Sequence, residues 1–357
     1  MDTGSYSTDP IDMRYRYLPS LQFGSALASS RLLDKVALGT EIDPSLTFND
    51  VTQLTSDKDD YYLNKYPPSL IAALRQNSML YGVLTEKKQK YTSDPEDGDE
   101  KINITVFQFP DNNSAQNAAK AYENADFAIA ADKNQAVQLN KYPNALSHWR
   151  PGIRTIGSRL VEGSYLVNIF ARAPQPELPQ LTSLLEHIYD VQLPMLRTLP
   201  PLSKRDILHL PYDPNGMYSR TFTPKDFVGP GLRGDGSFTT RAFLNTTDSD
   251  DKVLTDKGRV DAVSNNVYNT ILWRSPSEED ARSMAGELRN RMKMRADPPI
   301  GIPDSFCDED GDAQDWEHTR YRCVVRYGRY TARVASSQIK DAQQRAAAQY
   351  AILANSW

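Results

Sequence analysis

Several residue types and patterns that point to a specific chemistry are scarce in this chain. Its 357 residues contain four histidines, and none has the HxxxH or HExxH spacing of zinc enzymes. No stretch approaches the roughly 18 consecutive apolar residues of a transmembrane helix, and no GxSxG nucleophile elbow is present. We therefore expect no metal, nucleotide or covalent cofactor, and we lean against an enzymatic function.

The charge of the chain also excludes one class of partner. The net charge is −5 at pH 7, whereas binding to nucleic acid needs a concentrated basic face. The chain is 39% hydrophobic and 24% charged, which is typical of a folded globular protein. Its length suits two domains of roughly 150 residues each. We expect a two-domain protein that does not bind nucleic acid.

What the sequence does contain is an internal repeat. Equivalent features of the two halves are 164 or 165 positions apart: Phe109 and Trp273, Gly163 and Gly328, and Ile188 and Leu353. Each copy has the order strand, helix, glycine hairpin, helix. In the first copy these elements are predicted over residues 102–109, 114–122, 154–172 and 178–191. In the second copy they are predicted over residues 267–273, 277–292, 321–335 and 338–353.

The repeat predicts an α+β protein with two tandem related domains, each a β-α-β-β-α unit whose helices pack on an antiparallel sheet. The proline-rich residues 194–203 are the clearest linker. We therefore expect an N-terminal domain over residues 1–198 and a C-terminal duplicate over residues 199–357. Ser275 is the predicted N-cap of the helix after Trp273, because Pro276 suits a first turn and Glu278 completes a capping box.

The chain has only two cysteines, Cys307 and Cys323, and both lie in the second copy. Cys323 is predicted in the first strand of the hairpin, and Cys307 in the loop before it. The residues between them are mostly charged or polar, so a disulfide would order a loop that cannot bury itself. The bond would also indicate an oxidising, extracytoplasmic compartment. The alternative is two unrelated free thiols in a cytosolic protein.

The most site-like group of residues is His148, Trp149 and Arg150. A titratable ring, an aromatic face and a cation could converge there on an anionic ligand. The alternative is an amphipathic group that packs at a loop. We take these three residues as the candidate ligand-binding site, and we name no catalytic, cofactor-binding or metal-binding residue.

Two strings resemble known motifs without meeting their requirements. Gly229, Gly231 and Gly234 fit GxGxxG, but Pro230 interrupts the turn, so we expect no dinucleotide site. The acidic residues 308–312 begin a loop without the glycine and glutamate that an EF-hand needs at its sixth and twelfth positions. We expect a solvated loop there, with an irregular calcium site as the alternative.

Short segments along the whole chain resemble those of one family. They are residues 2–6 (DTGSY), 29–33 (SSRLL), 41–44 (EIDP), 210–220 (LPYDPNGMYSR), 258–263 (GRVDAV) and 270–274 (TILWR). On these motifs the chain resembles a large actinobacterial family of lipoproteins of unknown function, of mycobacterial and nocardial type. The resemblance implies export, lipidation at a cysteine upstream of the residues present here, and residence in the cell envelope. It implies no catalytic or binding residue.

Together these observations favour a non-catalytic cell-envelope protein that binds an unidentified ligand or partner. Contact with the membrane is expected only through the lipid anchor. One alternative is an envelope hydrolase whose nucleophile and base come from separate loops. Another is a purely structural interaction module. A broad hydrolase screen, combined with a search for bound small molecules, would separate these hypotheses.

Overall fold

The computed structural model describes residues 1–55, 60, 62–89, 100–225, 229–232, 235–309 and 319–356. The chain forms two compact units. The N-terminal unit consists of Pro19–Leu210 and Leu244–Ser249, and the C-terminal unit of Met1–Leu18, Pro211–Phe243 and Asp250–Trp357. The division into domains at residues 198 and 199 stays a prediction. Gly234 and most of the acidic loop, residues 310–318, lie outside the described residues.

The first half of the chain builds one antiparallel sheet with helices around it. The helices are α1 (Leu21–Leu33), α2 (Gly39–Ile42), α3 (Pro68–Gln76), α4 (Asn112–Phe127), α5 (Leu178–Arg197) and α6 (Lys204–Leu208). The strands are β1 (Phe48–Thr55), β2 (Tyr81–Lys88), β3 (Lys101–Gln108), β4 (Gln135–Val137), β5 (Leu146–Trp149), β6 (Thr155–Glu162) and β7 (Tyr165–Arg172). Their order across the sheet is β1-β2-β3-β7-β6-β5-β4.

The second half builds a second antiparallel sheet. Its helices are α7 (Thr240–Leu244), α8 (Ser249–Lys257), α9 (Glu278–Asn290) and α10 (Ile339–Ala354). Its strands are β8 (Gly236–Thr239), β9 (Ala262–Asn265), β10 (Ile271–Arg274), β11 (Met294–Ala296), β12 (Phe306–Glu309), β13 (Tyr321–Tyr327) and β14 (Tyr330–Ser336). Their order is β8-β9-β10-β14-β13-β12-β11.

The two sheets have the same topology, which confirms the predicted α+β fold with two related sheets. In each sheet the strands run first, second, third, seventh, sixth, fifth, fourth. A helix follows the third strand and another follows the seventh in both copies. Gly163 and Gly328 occupy the first position of equivalent two-residue hairpin loops, with φ of 60° and 51°. Glycine is favoured there because the turn requires a positive φ at that position.

The proposed equivalence of Phe109 and Trp273 is wrong by two residues. Trp273 pairs with Thr331 and Phe107 pairs with Leu166, and these partners are the second residues of the two seventh strands. Trp273 therefore corresponds to Phe107. The error keeps the apolar pattern intact, because residues two apart on a strand face the same side.

Two predicted helix ends also differ in the structure. Helix α9 begins after Ser277, whose Oγ accepts a hydrogen bond from the Asp280 N–H at 3.1 Å, so Ser275 is not the N-cap. Helix α5 continues through Pro194, which the sequence had assigned to a linker, and ends at Arg197. The last turn survives the missing N–H because Leu193 and Leu196 are buried there.

Alanine-rich helices set a close distance between helix and sheet in both units. Ala115, Ala118 and Ala119 of α4 lie in one core cluster with Phe107 and Leu166 of the first sheet. In the C-terminal unit a core cluster on the opposite face of the sheet combines four alanines of α10 with the central strands, and its members include Ala342, Ala346, Ala347, Ala348, Cys323 and Val334. Small side chains allow the helix backbone to approach the sheet and exclude water from it.

The two cysteines form the predicted disulfide, but the bond joins neighbouring strands. Cys307 lies in β12 and not in a loop, directly opposite Cys323 of β13. Both side chains are buried. The equivalent cross-strand pair of the first sheet is Ser147 and Ser158, whose hydroxyl oxygens lie 2.7 Å apart. The Ser158 hydroxyl is also hydrogen-bonded to the Tyr189 hydroxyl at 2.8 Å.

We expect Cys307→Ser to lower the unfolding midpoint by several degrees. The substitution removes a closed loop worth about 3 kcal/mol in the chain-entropy model. It also places a polar hydroxyl at a buried position that the disulfide occupies in the wild type, and the loss of hydration of that hydroxyl is unfavourable. Thermal unfolding with and without a thiol reductant measures the effect: reductant should lower the midpoint of the wild type and leave that of the variant unchanged. Equal midpoints for wild type and variant would contradict a stabilising bond.

Candidate functional site

The three residues predicted as a ligand site lie at the end of β5. His148 and Trp149 are its last two residues, so their side chains leave opposite faces of the sheet. The indole Nε1–H of Trp149 donates to the Ile153 carbonyl at 2.8 Å. The Nε atom of Arg150 is buried without a hydrogen-bond partner in the described part of the chain. A shared ligand on these three residues stays a prediction.

His148 belongs instead to a buried ionic group, which we call the Arg159 cluster: Arg159, Glu123, Asp126 and His148. The Nδ1 atom of His148 is hydrogen-bonded to Glu123 Oε1 at 2.8 Å. Arg159 NH1 donates to the other oxygen of Glu123 at 2.6 Å, and NH2 donates to Asp126. The Arg159 side chain is only 4% exposed. Each charged group of the cluster therefore has a partner within it.

Local geometry explains how the chain assembles this cluster. Glu123 and Asp126 are three residues apart on α4, so they lie on the same face of the helix. That face packs on the sheet, where β6 supplies Arg159 and β5 supplies His148. The i, i+3 spacing of two acids was visible in the sequence. The sequence did not show that Arg159 is their partner, because Arg159 lies 36 positions after Glu123 and 33 positions after Asp126.

The electrostatics of the cluster favour the charged form of Glu123. Burial alone would raise the pKa of Glu123, but the hydrogen bond with His148 and the charge of Arg159 outweigh it and hold that pKa below 4.5. The guanidinium also lies 5.1 Å from the centre of the Tyr122 ring. Two of the three guanidinium nitrogens thus donate to the acids of α4, while Arg159 Nε has no hydrogen-bond partner in the described part of the chain. The cluster fastens α4 to the sheet.

A cavity of about 440 Å³ lies in the C-terminal unit beside the N-terminal segment, which we define as residues 2–18. We call it the N-terminal cavity. Its wall combines Asp9, Asp12 and Arg16 of the segment with Lys225 and Ile352. Two carboxylates, two cations and apolar carbon atoms therefore face one space. Such a mixed lining suits a ligand that carries both polar and apolar groups.

The N-terminal segment is held in place by contacts that are remote in sequence. The Tyr6 hydroxyl donates to Asp341 of α10 at 2.5 Å, and the Tyr6 ring packs edge-on against Phe222 with 5.0 Å between the ring centres. The Ile11 N–H donates to the Ser219 carbonyl at 2.9 Å. The cavity could not be predicted from the sequence, because nothing local in this segment indicates which surface it covers.

The residues that the structure describes lack two kinds of functional feature. They contain no group of three or more histidine, cysteine or acidic side chains arranged to hold a metal ion. None of their helices combines the length and the apolar character needed to cross a membrane.

Comparisons with known proteins identify a family and little else. The N-terminal part of the domain of unknown function DUF7373 matches residues 15–212, and its C-terminal part matches residues 217–356. No curated protein matches the sequence. Among solved structures, the extracellular domain of PknH from Mycobacterium tuberculosis is similar at 13% identity and a TM-score of 0.31, over 45% of this chain and 94% of that one.

We expect Arg159→Met to destabilise the N-terminal unit by about 3–5 kcal/mol, because it leaves two partly buried carboxylates without their cation. Thermal or urea unfolding measures the loss. The matched control is Arg282→Met, which removes an exposed arginine from an i, i+4 pair with Glu278 and should cost well under about 1 kcal/mol. Equal effects of the two substitutions would show that the Arg159 cluster is not a structural brace.

Glu123→Gln should flatten the acid end of the stability profile. The pKa of Glu123 is lower in the folded protein than its ordinary 4.5. Its contribution to stability is therefore fully present above the unfolded-state pKa and is lost as the pH falls through the folded-state pKa. Unfolding free energies measured from about pH 6 to about pH 3 should fall less steeply in Glu123→Gln than in the wild type. The exposed substitution Glu279→Gln should retain the wild-type slope.

Proposed function

The chain belongs to the DUF7373 family, and we propose that it is a non-catalytic, extracytoplasmic protein of the cell envelope that binds a small ligand in its N-terminal cavity. The observation that carries the proposal is the cavity itself. Its volume of about 440 Å³ lies within the range of about 300–1,000 Å³ that is usual for small-molecule sites.

The lining of the cavity supports a ligand with charges of both signs. Asp9 and Asp12 supply two carboxylates, while Arg16 and Lys225 supply two cations. Asp12 already accepts hydrogen bonds from Arg14, which hold its pKa below the usual range. Ile11 and Ile352 add apolar surface. A zwitterionic molecule with an apolar portion matches these groups better than a purely hydrophobic one.

An extracytoplasmic location is supported by the disulfide. Bonds between cysteines persist in secreted and envelope proteins and are rare in the reducing cytosol. The Cys307–Cys323 bond is buried in the core of the C-terminal unit, as expected of a structural bond formed once during folding. We extend the proposal to a lipid anchor on a cysteine upstream of the residues present here, as in the actinobacterial lipoproteins that the sequence resembles. That anchor would be the only contact with the membrane.

The surroundings of His148 and His187 favour binding over catalysis. A histidine that activates a nucleophile is hydrogen-bonded to the hydroxyl or thiol it deprotonates. The partners of His148 are Glu123 and Arg159, and the partner of His187 is the carbonyl of Ile42. The competing hypothesis of an envelope hydrolase would gain support from turnover in a broad hydrolase screen.

We expect Ser7→Trp to prevent ligand binding, because Ser7 lines the N-terminal cavity and an indole there would fill part of its volume. Native mass spectrometry of protein purified from an actinobacterial host should show a small-molecule adduct on the wild type and none on the variant. The matched control is Ser5→Trp, an exposed position of the same segment outside the lining, which should retain the adduct. A wild type that carries no adduct and responds to no member of a metabolite panel would contradict the proposal.

A further inference from the structure

The second sheet carries a partly buried arginine that its surroundings leave without a partner. Arg333 lies in β14, with its guanidinium carbon 5.8 Å from the centre of the Trp273 ring. Among the described residues the Arg333 side chain makes no hydrogen bond and no ion pair. Burial lowers the pKa of this guanidinium, which is the expected effect of removing a cation from water.

The first sheet shows how the same fold neutralises an arginine on this face. Arg159 and Asn168 form a cross-strand pair there, and their equivalents in the second sheet are Val324 and Arg333. The arginine of this pair therefore lies on the sixth strand in the first sheet and on the seventh strand in the second. Arg159 receives two carboxylates from α4, as described above, whereas the position of α9 that corresponds to Glu123, counted from the N-caps, is Arg289. The helix above Arg333 therefore lacks the acid that neutralises its counterpart.

Other polar groups on this face are also unsatisfied. Ile271 of β10 pairs with Asn265 on one side and with Arg333 on the other, so all three side chains share one face. Trp273, two residues further along β10, shares it as well. The Trp273 Nε1–H donor is fully buried without a partner among the described residues, and so is the Asn265 Oδ1 acceptor. Native proteins rarely leave buried polar atoms unpaired unless a ligand or an ordered water serves them.

The nearest acidic groups act on Arg333 only at a distance. Asp251 and Asp308 attract its charge and Arg322 repels it, but neither carboxylate forms an ion pair with it within 4.0 Å. Arg322 lies directly opposite Asp308 across β12 and β13, so that carboxylate has a second cation beside it. The guanidinium of Arg333 keeps an unused set of donors, and planar guanidinium donors are suited to oxyanions.

We propose that Arg333, together with the Nε1–H of Trp273, forms an oxyanion-binding site on the α9 face of the second sheet and takes the carboxylate or phosphate group of a small ligand. Thr331 of the same face donates to Ala281 of α9, which identifies the side. The N-terminal cavity, by contrast, borders α10, which packs with Ala332 and Val334 on the other face of the sheet. The site is therefore separate from the one in the proposed function.

The test compares wild type, Arg333→Gln and a matched control, Arg329→Gln. Arg329 is exposed in the neighbouring hairpin, over the Tyr330 ring, and its substitution makes the same change in charge. Thermal unfolding is followed while sodium phosphate or sodium acetate replaces sodium chloride at constant ionic strength. The wild type and Arg329→Gln should gain stability with phosphate, with acetate or with both, and the responding anion identifies the ligand group. Arg333→Gln should lose this response, with affinity reduced about 10- to 100-fold.

A second measurement separates a binding site from a structural arginine. In chloride, Arg333→Gln should unfold at the same temperature as the wild type or above it, because the substitution removes a cation that has no internal partner. Arg333→Lys should fold and bind the responding anion more weakly than the wild type, since an ammonium group cannot donate in a fork. A wild type indifferent to both anions, an Arg333→Gln variant that keeps the response, or a variant that unfolds well below the wild type would each overturn the proposal.

Discussion

The pairing of the third strand with the seventh is the interaction on which each half of this protein depends. In the first sheet it joins β3 to β7 over eight residues and places Val106 opposite Val167 and Ile104 opposite Ile169 at the centre of the sheet. All four of these side chains are buried. The pairing closes a long loop, so its entropic cost must be recovered by burial of this kind. Once it forms, the helix after the third strand and the remaining strands have fixed neighbours.

Within this shared frame the two copies differ at equivalent positions, and the differences are chemical. One cross-strand position holds a hydrogen-bonded serine pair in the first sheet and the disulfide in the second. Another holds Arg159 opposite Asn168 in the first sheet and Val324 opposite Arg333 in the second. At these positions the first copy pairs its serine hydroxyls and the charge of its arginine internally, while the second uses a covalent bond and leaves a cation without an ion pair among the described residues. A sheet that is stabilised by the rest of its core tolerates an unpaired charged side chain. Ligand sites are commonly formed by such side chains on a rigid sheet.

The N-terminal segment, which lies outside the repeat, forms part of the wall of the N-terminal cavity in the C-terminal unit. The segment crosses to α10, where Asp341 accepts from Tyr6, from Ser336 and from Arg345. These bonds hold the pKa of Asp341 below its usual range despite partial burial. They also fix the wall of the N-terminal cavity. The two candidate sites therefore have different origins: one lies on the repeated sheet, and the other on a segment outside the repeat.

The sequence by itself determined what depends on local chemistry: the order strand, helix, hairpin and helix within each half, the hairpin turns at Gly163 and Gly328, and the fold class of both halves. Strand and helix periods and the positive φ of a turn glycine are properties of a few consecutive residues. Only the tertiary structure decided the register that matches Trp273 to Phe107, the strand position of Cys307, the Arg159 cluster and the isolation of Arg333. Each of these depends on which side chains meet across strands or between a helix and a sheet. A one-dimensional pattern cannot specify such a meeting, because residues far apart in the chain acquire their neighbours only when the sheet closes.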